Sequence, residues 1–186
     1  MIPVAALGVT AGLTLLLAPD PAKVREDDFP IPLPIARNQW LAFVKLLASG
    51  KRDEVTPNFR LGVFQMTVRR LCDIGAMANP RMVEHEGRNV WDADWVNPVS
   101  LRAFLDNGMT QYTLFSQSIQ GYANDEKLRS MVGATIDNSK ATLSGLLTVA
   151  HRAGLPGLST WVTDPKNRAK FSENTTAHYA RANGLF

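Results

Sequence analysis

A chain of 186 residues with 45% apolar content can bury one hydrophobic core and is most simply one domain. Its charged fraction of 20% and net charge of +3 suit a partner of mildly anionic character, but no dense basic run marks a nucleic-acid surface. The single cysteine, Cys72, excludes an intrachain disulfide, and one cysteine with three scattered histidines assembles no zinc site, so no metal or cofactor is expected.

Met1–Ala18 carries no charge. It reaches the lower limit for a bilayer span, places Gly8 and Gly12 at the small-xxx-small spacing, and lacks the basic leader of a signal peptide. Three readings stay open: a membrane span, an element buried in an assembly, or a hydrophobic arm inserted into a partner. Apolar surface costs about 25 cal/mol per Å² in water, which favours burial of residues 1–18 against other chains. Pro19, Pro21, Pro30, Pro32 and Pro34 then hold the chain extended, so residues 19–35 read as a linker.

The domain, residues 36–186, reads as all-α, a mainly α architecture of six to eight short helices. Trp40, Phe43, Val44 and Leu47 repeat at helical spacing, and Ala48-Ser49-Gly50 ends that helix. Lys51–Asn58 is a polar loop. Arg60–Gly75 begins as a turn at Gly62 and continues as a helix with Phe64, Val68, Leu71 and Cys72 on one face, Arg69 and Arg70 pointing away, and Gly75 at the cap. Gly62 and Gln65 form a Gly-x-x-Gln turn at the helix mouth, where a primary amide donates and accepts hydrogen bonds at once. N-acetylated sugars need that dual capability. Ala76–Asn97 reads as irregular, and Asn97-Pro98 as a helix start. Further helices carry Leu101, Phe104 and Leu105; Tyr112, Phe115, Ile119 and Tyr122; and Leu143, Leu146, Leu147 and Ala150, the last ending at Gly154. Gly145 allows close packing, expected against the Arg60–Gly75 helix.

In that order the pieces resemble the lysozyme-like domains of phage virion and tail proteins, related to lytic transglycosylases. Gly62-Val63-Phe64-Gln65 is similar to the family's glycan-binding Gly-x-Tyr-Gln turn. Thr142–Gly154 resembles its T-L-S-G-L-L helix ending Ala-His-x-x-Gly, and Ala103–Gln111 with Tyr112 its F-L-x-x-P-x-x-Q segment. The likeness spans Ala36 to about Tyr179. It implies a muramidase or transglycosylase ancestry, with peptidoglycan strands bound by Gly62, Phe64, Gln65 and Tyr112. The setting it implies is a virion, with other virion chains met through residues 1–18 and delivery to the bacterial envelope. The family's acid, a Glu at the end of the first helix, falls at Ala48 here, so little cleavage is expected. The nearest substitute is Glu54, whose short loop can fold back toward Gln65. Asp53, Glu84, Glu86 and His151 read more simply as loop charges and a packed histidine. The rival reading is a membrane-anchored or assembly-embedded helical interaction protein without glycan activity.

Overall fold

The computed structural model describes residues 30–57, 59–168, 170–171 and 173–186. The apolar arm, residues 1–18, and most of the proline-rich segment lie outside the described residues. The architecture is mixed α/β, with about 51% helix and 17% strand, which overturns the all-α expectation. The order is α1 (Arg37–Leu47), β1 (Arg60–Leu61), β2 (Met66–Thr67), α2 (Val68–Asp73), β3 (Met77–His85), β4 (Arg88–Trp95), α3 (Leu101–Asp106) and α4 (Gly108–Ala123). It continues with α5 (Glu126–Ser130), β5 (Thr135–Ile136), β6 (Ser139–Lys140), α6 (Leu143–Thr163), α7 (Pro165–Arg168) and α8 (Glu173–Ala182). The strands pair as three separate antiparallel hairpins.

The core forms where the helical stripes meet. Trp40, Phe43 and Leu47 of α1 are fully buried with Tyr112, Phe115 and Ile119 of α4 and with Leu146, Leu147 and Ala150 of α6. Trp40 stacks near Phe115 at 6.1 Å and meets Tyr112 edge-on at 6.4 Å. The Trp40 indole N–H donates to the Tyr112 hydroxyl, which in turn donates to the Pro30 carbonyl at 2.8 Å. With Leu33 also buried, residues 30–35 dock on the domain, although their prolines suggest a linker.

The main departure from the sequence reading lies in Ala76–Asn97. That stretch is a long hairpin, pairing Met77 with Trp95 through His85 with Arg88, and shifting register between Ala78 and Arg81. Pro80, which has no N–H for a ladder, falls in that irregularity. Glu86 and Gly87 close the hairpin with φ of 51° and 74°, the conformation of a two-residue primed turn. Both faces are mostly wet, so no apolar alternation betrays it. Arg81 forks across the pair to Asp92 and Asp94.

Four further corrections follow. The helix expected from Gly62 begins only at Val68, with Thr67 as its cap, because a two-residue strand intervenes. Arg70 does not point away: its guanidinium lies 3.7 Å over the Tyr122 ring and donates to the Ser118 hydroxyl and carbonyl. Gly75 does take the left-handed conformation at the end of α2, with φ of 76°. In α6, Gly154 (φ 72°) breaks the helix, and the chain restarts around Pro156. Gly145 of α6 faces α8 rather than α2: a Cβ there would lie 2.7 Å from Tyr179 and from Asn183. The helix expected at Asn97-Pro98 starts instead at Leu101, capped by the Ser100 hydroxyl. Among the described residues no helix is long and apolar enough to cross a membrane.

Candidate functional site

The site is built around the end of α1 and the turn between β1 and β2. The Val63 peptide joins them. Its carbonyl accepts from Ser49 and Gly50 N–H at 3.0 and 2.8 Å, while its N–H donates to the Gln111 side-chain oxygen at 2.8 Å. The Gln111 amide nitrogen donates to the Arg52 and Phe104 carbonyls at 2.7 and 2.9 Å. Gln111 is only 1% exposed, so one buried side chain from α4 clamps both the turn and the polar loop. Gly62 makes this approach feasible. Its φ is 67°, and a Cβ would lie 2.3 Å from the Gln111 oxygen.

The same turn places Gln65 in the left-handed region, with φ of 52°. A non-glycine residue there is uncommon and marks a position fixed by its surroundings. The Gln65 amide nitrogen donates to the Gly62 carbonyl at 3.0 Å and to Glu54 Oε2 at 3.2 Å. Both partners are acceptors, which fixes the amide orientation and uses both N–H hydrogens. What remains for a ligand is the Gln65 carbonyl oxygen, an acceptor rather than the dual donor and acceptor expected from sequence.

Glu54 is not a loose loop charge. Its Oε2 also accepts from Lys51 N–H at 2.9 Å, and its backbone carbonyl accepts from Gly62 N–H at 2.8 Å. Oε1 takes no hydrogen bond among the described residues. Gly50 completes the arrangement: a Cβ there would lie 2.3 Å from the Gln65 amide nitrogen and 3.0 Å from Glu54 Oε2. The carboxyl–amide pair therefore occupies the space that any side chain at position 50 would need.

Ser49, Glu54, Phe64 and Gln65 line a cavity of about 250 Å³ together with Arg60, His151, Arg152, Asn174 and His178. The His151 Nε2 meets the Phe64 carbonyl at 2.8 Å, so Nε2 carries the proton and Nδ1 is the bare nitrogen. That Nδ1 is buried without a partner among the described residues. Burial, reinforced by the charges of Arg152, Arg60 and Arg70 and opposed by the Phe64 carbonyl, pushes the His151 pKa down to about 4. His178 is also pushed below its ordinary value, first by burial and then by Arg152 and Arg181, against its bond to the Asn174 carbonyl. Both rings are consequently neutral near pH 7.

Of the residues singled out from sequence, the structure brings together Glu54, Gly62, Phe64 and Gln65. The Phe64 ring stacks on Phe115 at 4.0 Å and is 5% exposed, so its backbone carbonyl contributes more than its ring. Tyr112 is 1% exposed and bonded within the core. It does not line the cavity. Ala48 ends α1, and its neighbour Ser49 reaches the cavity. Asp53 sits exposed in the loop, while Glu84 and Glu86 lie exposed on the β3–β4 hairpin, away from the cavity lining. Sequence reasoning assigned no role to Gly50, Arg60, Gln111, Arg152 or His178. Only Gln111 carried a signal, as the glutamine of the Ala103–Gln111 segment. Comparison with protein-family models, curated proteins and solved structures finds no match for the chain.

Proposed function

We propose that this chain engages peptidoglycan strands in the Glu54–Gln65 cavity and cleaves them with Glu54 as general acid, as the working domain of a phage or phage-like virion component. The observation that carries the reading is the Glu54 carboxyl group held against the Gln65 amide, with Oε1 left unpartnered on a cavity wall. The sequence expectation of little cleavage rested on Ala48 at the position of the family's acid; the hydrogen bonds around Glu54 and Gln65 hold a different carboxyl group on the cavity in its stead. The Gln65 carbonyl oxygen suits an acetamido N–H. Glu54 is the one carboxylate among the described residues that line the cavity. Inverting and retaining hydrolysis both use a carboxylate pair, so a lone carboxylate fits transglycosylation better. There one group first gives its proton to the leaving oxygen and then takes one from the sugar's own attacking hydroxyl.

The virion setting is supported by the family resemblance and by the uncharged residues 1–18, which fit contact with other virion chains. A glycan-binding domain without cleavage is the second reading, favoured by Ala48 at the helix end. Turbidity loss of purified peptidoglycan separates the two. Glu54→Gln is expected to lose cleavage by about 10²-fold or more, the usual worth of general acid assistance, while still binding. Glu84→Gln is expected to cleave normally, and Gln65→Ala to bind more weakly. Mass spectrometry of the products is expected to show anhydro ends, lighter by the elements of water. Cleavage that survives Glu54→Gln would overturn the assignment, and absence of cleavage in the native chain with binding intact would leave the binding reading.

A further inference from the structure

The cavity that Glu54 lines is more positive than a neutral sugar requires. Arg60 stands on β1 and Arg152 on α6, and neither forms an ion pair among the described residues, whereas Arg70, Arg81, Arg102 and Arg168 each meet an aspartate. The Arg60 guanidinium reaches the Arg152 carbonyl in a weak hydrogen bond of 3.4 Å. Arg152 Nε is buried with no hydrogen-bond partner among the described residues. Burial and the nearby Arg60 charge both lower the Arg152 pKa, the signature of two cations held together without a counter-charge. The Glu54 carboxyl group, on the same cavity, forms no ion pair with either arginine among the described residues. Neutral His178 and Asn174 add hydrogen-bonding groups beside the arginines without adding charge. At about 250 Å³ the cavity is below the usual range for a drug-sized ligand and suits one sugar ring with a substituent.

We propose that Arg60 and Arg152 form a carboxylate-binding subsite, which takes the acidic side group of the sugar held against Glu54 and selects acidic amino-sugar strands over neutral ones. Planar guanidinium forks match a carboxylate with two parallel N–H bonds, which a hydroxyl or acetamido group cannot reproduce. The inference rests on the glycan reading above and narrows its substrate to strands whose ether-linked acid is free, that is, peptidoglycan strands from which the stem peptide has been removed. Lone N-acetylglucosamine polymers lack that group.

The test is binding of two oligosaccharides of equal length to the full chain by titration calorimetry, one with muramic-type carboxylates and one a neutral chitooligosaccharide. The acidic oligosaccharide is expected to bind about 10-fold more tightly, the worth of a hydrogen bond to a charged group. Arg60→Gln and Arg152→Gln are each expected to abolish that preference, read as the ratio of the two ligands' affinities within each variant. Methyl esterification of the carboxylates is expected to do the same in the native chain, and this arm stands even if the Arg152 variant fails to fold. Equal affinity for both ligands in the native chain, or a preference that survives esterification, would overturn the subsite and leave the glycan reading intact. Failure of both ligands to bind would overturn the two together. Inorganic phosphate that displaces the acidic ligand at lower concentration than acetate does would overturn the carboxylate assignment in favour of a phosphate.

Discussion

Gly62 at the site and Gly75 at the end of α2 differ in what they protect, and substitution separates them. Gly62 needs a left-handed backbone and an empty Cβ position against Gln111, whereas Gly75 needs only the backbone, with open space around it. Gly75→Ala is therefore expected to cost about 1 kcal/mol and Gly62→Ala at least about 2 kcal/mol, read from urea unfolding. His151 supplies a second test. The unfolded chain binds a proton near the ordinary value of 6.5, while the folded chain declines it until about pH 4. The contribution of His151 to stability is thus complete above pH 6.5 and shrinks as pH falls toward 4, reaching a loss of about 3 kcal/mol. Unfolding curves between pH 4 and 7 should flatten in His151→Gln, whose amide can still donate to the Phe64 carbonyl. A pH dependence equal in both chains would mean that other groups carry it. At this scale part of the site was readable in advance. Glu54 and Gln65 stand in one short segment with a turn between them, so proximity follows from chain length. Arg152 and His178 come from helices far along the chain, and nothing in their local pattern connects them to that turn.

Among the elements, α1, α4 and the first half of α6 were legible because each presents one continuous apolar stripe, and burial follows that stripe. The β3–β4 hairpin was not legible because it lies mostly in solvent, where pairing is sustained by the backbone ladder and by side chains such as Arg81 with Asp92 and Asp94. Arg70 misled for a related reason: a charged residue on a short helix reads as surface until an aromatic ring from another element covers it. The α6–α8 contact gives the sharpest element-level prediction. Gly145 lets Asn183 accept the Thr142 N–H at 2.8 Å and lets the Tyr179 ring pack on the α6 backbone. Gly145→Ala should gain helix propensity yet lose about 1–3 kcal/mol overall through overpacking, measured by thermal melting. A stabilised variant would show that α8 can withdraw without cost.

For the molecule as a whole, the boundary of the folded unit falls earlier than composition suggests. Leu33 is buried and Tyr112 donates to the Pro30 carbonyl, so the last prolines act as a strap rather than a spacer. A chain beginning at residue 30 should fold with native-like stability. One beginning at residue 36 should lose about 2–4 kcal/mol, the combined worth of one buried leucine and one buried hydrogen bond. Equal melting temperatures for the two would show that the strap is dispensable. The β3–β4 hairpin has a consequence of another kind. Its turn at Glu86 and Gly87 divides the chain between the two halves of the site, with Glu54, Arg60 and Gln65 before it and Gln111, His151 and Arg152 after it. The paired strands are the most extensive link between those halves that lies in the open. Two polypeptides severed at the turn would each lack a core, yet each would carry one strand of a ready-made coupling. Fragment complementation through that coupling would rebuild the clamp between Val63 and Gln111, so a recovered cooperative melting transition would report reassembly directly.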